Sequence, residues 1–208
     1  MARISNPNQF SVNRPGQEAI RSSLYDFQDY AIAGQTSLTY FQVPAGQNGK
    51  TKADTNMEMA GSLPSPKRFL VETMEIMFFS GASIDTAAVA AATQSQAADV
   101  YAFAKSGYLD FFIGSKSYLT EAPLGRFPSS TSIRVDAALT GTFTAPVSQK
   151  TQYAAMSGLI YRVEPNITLE PTQNFNVSMN WPTAVPMPSG NIARVGIVMR
   201  GLLFRNSQ

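Results

Sequence analysis

The chain has 208 residues, 44% of them hydrophobic but only 14% charged, with a formal net charge of +2 and neither His nor Cys. Lacking imidazole and thiol, it has no catalytic triad of the usual kind, no thiol nucleophile, no zinc site and no disulfide, and so small a net charge gives no basic stripe for sequence-independent DNA binding. With far fewer charges than the roughly one quarter of an average globular protein, its surface falls to Ser, Thr, Asn, Gln and Ala, which repel little and suit a molecule packed among others.

The N-terminus, MARISNPNQFSVNRPGQ, is polar and interrupted by Pro7 and Pro15. It has no apolar core of a signal peptide, and no segment reaches the length of a membrane span. Residues 1–35 read as an extended arm rich in Asn, Gln, Arg and Pro, whose aromatic residues Phe10, Tyr25, Phe27 and Tyr30 follow no fixed period. Arg3, Arg14 and Arg21 outnumber Glu18 before residue 25, so the arm is expected to dock on a neighbouring molecule. These seven aromatic and arginine positions are the expected inter-subunit contacts.

Residues 36–208 read as one domain, within the usual size range. TSLTYFQV at 36–43 is a strand, followed by the Gly-rich loop PAGQNGKTKADTN. RFLVETMEIMFFSG also reads as a strand, with Phe69, Val71, Thr73 and Glu75 on one side and Leu70, Glu72, Met74 and Ile76 on the other. Neither side is purely apolar, which suggests a strand wedged between a core and another protein. A single helix is expected at about 84–106, with Asp85 near its start, Lys105 in its last turn and Gly107 as its stop.

From Tyr108 onward come YLDFFIG, KSYLTEAP, SIRVDAALTGTF, LIYRVEP, NITLEP, QNFNVSMNWP and ARVGIVMRGLLFR, separated by Gly, Pro, Ser and Asn clusters. The clearest alternation sets Phe175, Val177, Met179 and Trp181 against Asn174, Asn176, Ser178 and Asn180, one dry face and one wet. About nine short strands at this spacing predict an all-β antiparallel sandwich, near the eight strands of a jelly roll, with one inserted α-helix and the N-terminal arm.

Chemical motifs are few. Gly49-Lys50-Thr51 ends like a phosphate-binding loop, but the first glycine of that motif would fall at Pro44; a hairpin loop is the plainer reading. Tyr101 and Lys105 have the spacing of a short-chain dehydrogenase pair, without the βα units that family needs. The nearest carboxylates, Asp26 with Asp29 and Glu72 with Glu75, lend no support to a glycosidase pair, because Glu72 and Glu75 fall on opposite sides of an ideal strand and Asp26 and Asp29 sit in the arm. Trp181 is either a sugar-stacking platform or core, and its place in the alternation says core. No catalytic residue, cofactor or metal site is expected.

NITLEPTQNFNVSMNWP together with the final ARVGIVMRGLLFR resembles the closing strands of jelly-roll structural proteins of bacteriophage particles, both coat proteins and the cement proteins that decorate capsid shells. The resemblance covers roughly the last 45 residues. It implies a virion subunit assembled in the host cytoplasm, whose partners are copies of itself, as a trimer or larger ring, and other capsid proteins. It implies no sequence-specific nucleic-acid recognition. The alternative is a carbohydrate-binding β-sandwich of a host-attachment structure, for which an exposed Trp181 would speak.

Overall fold

The computed structural model describes residues 16–82, 96–127, 131–140, 147–156 and 160–206. Among these residues ten strands and one α-helix follow in chain order: β1 (Gln17–Tyr30), β2 (Ser37–Tyr40), β3 (Arg68–Phe79), α1 (Gln96–Lys105), β4 (Tyr108–Ile113), β5 (Lys116–Pro123), then a single 3-10 turn (Leu124–Arg126), β6 (Thr131–Thr140), β7 (Val147–Met156), β8 (Tyr161–Leu169), β9 (Phe175–Asn180) and β10 (Ala193–Asn206). They form two antiparallel four-stranded sheets, β1-β10-β3-β8 and β2-β9-β4-β5, and a separate β6-β7 ribbon.

The two sheets bury their inner faces in one hydrophobic cluster, so the chain is an all-β sandwich. Leu38, Tyr40, Phe175, Val177, Met179, Leu109 and Phe111 come from one sheet, and Met74, Ile76, Val195, Ile197, Met199 and Leu169 from the other. Each such side chain stabilises the fold by roughly 1.5–3 kcal/mol relative to exposure. The predicted alternation in β9 holds residue by residue: Phe175, Val177 and Met179 are buried, and Asn176, Ser178 and Asn180 are not.

Helix α1 closes one end of the sandwich. Val100 and Phe103 are buried, and the Phe103 ring stacks at 4.5 Å on Phe78 and meets Trp181 at 5.5 Å. Asp99, fully buried in the first turn, accepts hydrogen bonds from the Ser189 N–H and the Ser80 hydroxyl, joining the helix to the β9–β10 connection and to the end of β3. Positions 84–95 of the expected helix lie outside the described residues.

The extended-arm expectation is corrected over 17–30. Those residues form β1, paired with β10 along its whole length from Gln17↔Asn206 to Tyr30↔Ala193. Leu24 and Tyr30 enter the core, which makes β1 an integral strand of the sandwich. Two further differences follow from local chemistry. The segments LIYRVEP and NITLEP are one strand, β8, which tolerates Pro165 because β8 lies at a sheet edge. β7 was not anticipated, since its sequence VSQKTQYAAM carries few β-branched or aromatic residues.

The inner side of strand β3 is not mixed. Its register against β10 and β8 shifts between Val71 and Thr73, a bulge at Glu72. The bulge moves the inward phase from Phe69 and Val71 to Met74, Ile76 and Phe78. Every inward position of β3 is therefore apolar, and Glu72 and Glu75 both turn to the outer face.

Candidate interaction surface

The two outer faces of the sandwich differ in chemistry. That of β2-β9-β4-β5 carries Ser37, Thr39, Asn176, Ser178 and Asn180 beside Tyr108 and Phe112, with Asn180 donating to Asp110 at 3.0 Å and no ion pair among these residues. That of β1-β10-β3-β8 carries aromatic residues among ion pairs. Phe27 lies between Tyr25, at 6.2 Å between ring centroids, and the half-exposed Phe79, at 6.3 Å.

Register explains why these rings lie outside. Tyr25 pairs with Val198 and Phe27 with Gly196, on the side of β10 opposite Ile197 and Met199. Gly196 makes room for the ring, because a Cβ there would come within 2.2 Å of Phe27 Cδ1. Arg194 covers Phe27 with its guanidinium 5.0 Å from the ring centre and bonds Asp54 Oδ1 at 2.8 Å. Arg21 meets Glu72 at 2.8 Å and Arg200 meets Glu75 at 2.7 Å. Partly exposed pairs of this kind add at most about 1 kcal/mol each. Their larger effect is to neutralise the face.

Of the seven contact residues expected from sequence, Arg21, Tyr25 and Phe27 share this outer face of β1. Tyr30 does not. It is fully buried, donates its hydroxyl to the Val185 carbonyl at 2.8 Å and packs edge-on against Phe103 and Trp181, so it is corrected from contact residue to core. Arg3, Phe10 and Arg14 lie outside the described residues. Sequence reasoning missed Phe79, Arg194 and Arg200, which only the pairing of β10 between β1 and β3 brings beside the β1 rings.

The loop after β2 guards the β1 edge. Phe27 N–H bonds the Asp54 carbonyl at 2.7 Å, Tyr25 N–H bonds Asn56 Oδ1 at 3.0 Å, and Asn56 Nδ2 bonds the Ser23 carbonyl at 2.7 Å. These contacts occupy edge groups that could otherwise recruit another strand. Lys50 turns inward beneath the loop, with Nζ 2.5 Å from Asp26 Oδ1, while Asp26 Oδ2 accepts the Phe41 N–H at 2.6 Å. Burial pushes the Asp26 carboxyl above its ordinary 3.8, against the lowering effect of Lys50, the Phe41 N–H and Thr55.

This loop does not form a phosphate cradle. Gly46 N–H bonds the Lys50 carbonyl at 2.7 Å and Lys50 N–H bonds the Gln47 carbonyl at 2.9 Å, so these amides serve the loop, and the lysine serves Asp26. A cavity of about 330 Å³ beside it is lined by Asp29 and Asp54 among others. Asp54 is held below its ordinary carboxyl value by the N–H and hydroxyl of Thr51, the reverse of what a general acid requires. Glu72 and Glu75 each face an arginine. Tyr101 is exposed, with Lys105 Nζ 5.6 Å over its ring. Trp181 is buried and donates Nε1–H to the Phe103 carbonyl at 3.1 Å, so its ring is core. Among the described residues, no group of His, Cys, Asp and Glu converges as a metal site, and no helix is long and apolar enough to cross a membrane.

No known protein family matches the chain, and neither a characterised protein nor a solved structure is similar to it.

Proposed function

We propose that the chain is a jelly-roll subunit of a virus particle, a coat or capsid-decorating protein that acts through contacts with copies of itself and with other capsid proteins. The observation that carries this reading is the strand pairing. With the β6-β7 ribbon set aside, eight strands remain, and a jelly roll is a long antiparallel hairpin of eight strands rolled into two sheets. Such a hairpin pairs first with eighth, second with seventh, third with sixth and fourth with fifth. The chain has β1 with β10, β2 with β9, β3 with β8 and β4 with β5. On this reading α1 is the insertion between the third and fourth strands, and the β6-β7 ribbon the insertion between the fifth and sixth.

Jelly rolls serve both in capsids and in sugar-binding domains, so the surface must decide between them. The residue that would have carried sugar stacking, Trp181, is only 3% exposed. The low charge of the chain and the neutralised aromatic face of β1, β10 and β3 favour burial against protein.

Sedimentation velocity across a wide concentration range, run beside a glycan array, tests the proposal. Self-association with no glycan retained is expected. A monomer at every concentration, or specific retention by one glycan class, contradicts it.

A further inference from the structure

The β6-β7 ribbon is a two-stranded sheet ten residue pairs long, from Thr131↔Met156 to Thr140↔Val147. A lone two-stranded ribbon is at best marginally stable in water and needs a further strand or a packed face. Strand β7 comes up against α1 and β3. Among the described residues β6 pairs with β7 alone.

We infer that β6 is a docking edge for β6 of a second copy, joined antiparallel about a two-fold axis at Val135 into a four-stranded sheet, β7-β6 continuing into the partner's β6-β7. This rests on the self-association proposed above and adds where it occurs. The sequence of β6, TSIRVDAALT, is self-complementary in that one register. Position 134, an arginine, falls opposite the partner's position 136, an aspartate, and the reverse pairing of positions recurs on the other side of the axis. Ile133 falls opposite the partner's Ala137, and Val135 opposite its own copy. Opposite charges directly across an antiparallel pair stabilise it, and like charges oppose it. A shift of register by one residue loses both charge pairs at once, so the contact specifies itself. A contact that repeats about a two-fold axis closes on a pair and leaves other faces free for further assembly.

Charge exchange in the full-length chain tests the inference by sedimentation equilibrium. Arg134→Asp alone and Asp136→Arg alone each set like charges across the axis and are expected to weaken self-association by about tenfold. The double variant R134D/D136R restores the opposite pairs and is expected to recover wild-type association. Single variants that associate like the wild type, or a double variant as weak as either single, overturn the β6 contact and leave the capsid reading standing. A wild-type chain that stays monomeric throughout overturns both.

Discussion

Lys50 Nζ lies 2.5 Å from Asp26 Oδ1 on the inner side of β1, directly behind the row that places Tyr25 and Phe27 on the outside. A fully buried carboxylate and a lysine with 15% of its side chain exposed thus tie the loop after β2 to the strand whose edge it covers. Removing one partner strands the other, and a buried Phe41 N–H loses its acceptor.

Asp26→Ala is therefore expected to destabilise the fold by about 3–5 kcal/mol in urea unfolding, with Lys50→Met costing less because Asp26 keeps the Phe41 N–H and, its carboxyl already raised by burial, can take up a proton. The pH dependence has a definite sign. The carboxyl of Asp26 is raised in the folded state, so its contribution is fully present below 3.8 and lost as the pH rises through its folded value. Asp26→Asn removes this titration but leaves the others in place. The stability of the wild type minus that of the Asn variant should rise as the pH falls from 7 towards 4, and a flat or opposite trend contradicts the assignment.

Truncation separates the strand from the chain before it. Deleting residues 1–30 removes Leu24, Asp26 and Tyr30 from the inner face and all the pairing that β1 gives β10. Cooperative thermal unfolding should disappear, whereas deleting residues 1–15 should preserve it. Retained cooperativity after the longer deletion would mean that β1 is dispensable.

The strand was hidden in the sequence for a physical reason. In β1 the inner positions are Leu24, Asp26, Gln28 and Tyr30, and the outer ones include Tyr25 and Phe27. A charged residue and an amide take core-side positions while two aromatics face outward, which erases the two-residue hydrophobic period that made β9 legible. At β3 the single bulge at Glu72 shifts the period midway, so a regular strand drawn through it shows two mixed faces. The sandwich was readable because β9 obeys simple alternation and because short β-rich segments recur between turn residues from Tyr108 onward. The interaction surface was not, because Arg194, Phe79 and Phe27 are far apart in sequence and meet only through strand order.

Two glycines of β10 test its packing, Gly196 on the outer face and Gly201 level with Val71 at the bulge of β3. A Cβ at Gly196 meets the ring of Phe27 at 2.2 Å, whereas a Cβ at Gly201 meets the backbone carbonyl of Leu70 at 1.8 Å. A ring can swing aside, but backbone in a paired sheet cannot without breaking the ladder. Gly196→Ala should cost about 1–3 kcal/mol, and Gly201→Ala more. Equal unfolding midpoints for the two variants would refute the assigned neighbours.

Phe79 is 50% exposed and contributes its ring to the aromatic row on the outer face. Phe79→Glu should leave thermal stability within about 0.5 kcal/mol of wild type while replacing the ring by a charge, across from Arg194, in a face proposed to be buried in the particle. Weaker self-association in sedimentation is the expected readout, and unchanged association removes this face from the contact.

The proposed work of the sandwich is contact between copies. Single-particle electron microscopy of the full-length chain at assembling concentrations tests that most directly. Closed, symmetric rings or shells of jelly rolls, each subunit burying about 2,000 Å² or more against its neighbours, are the predicted result; a uniform field of isolated monomers at every concentration would contradict it.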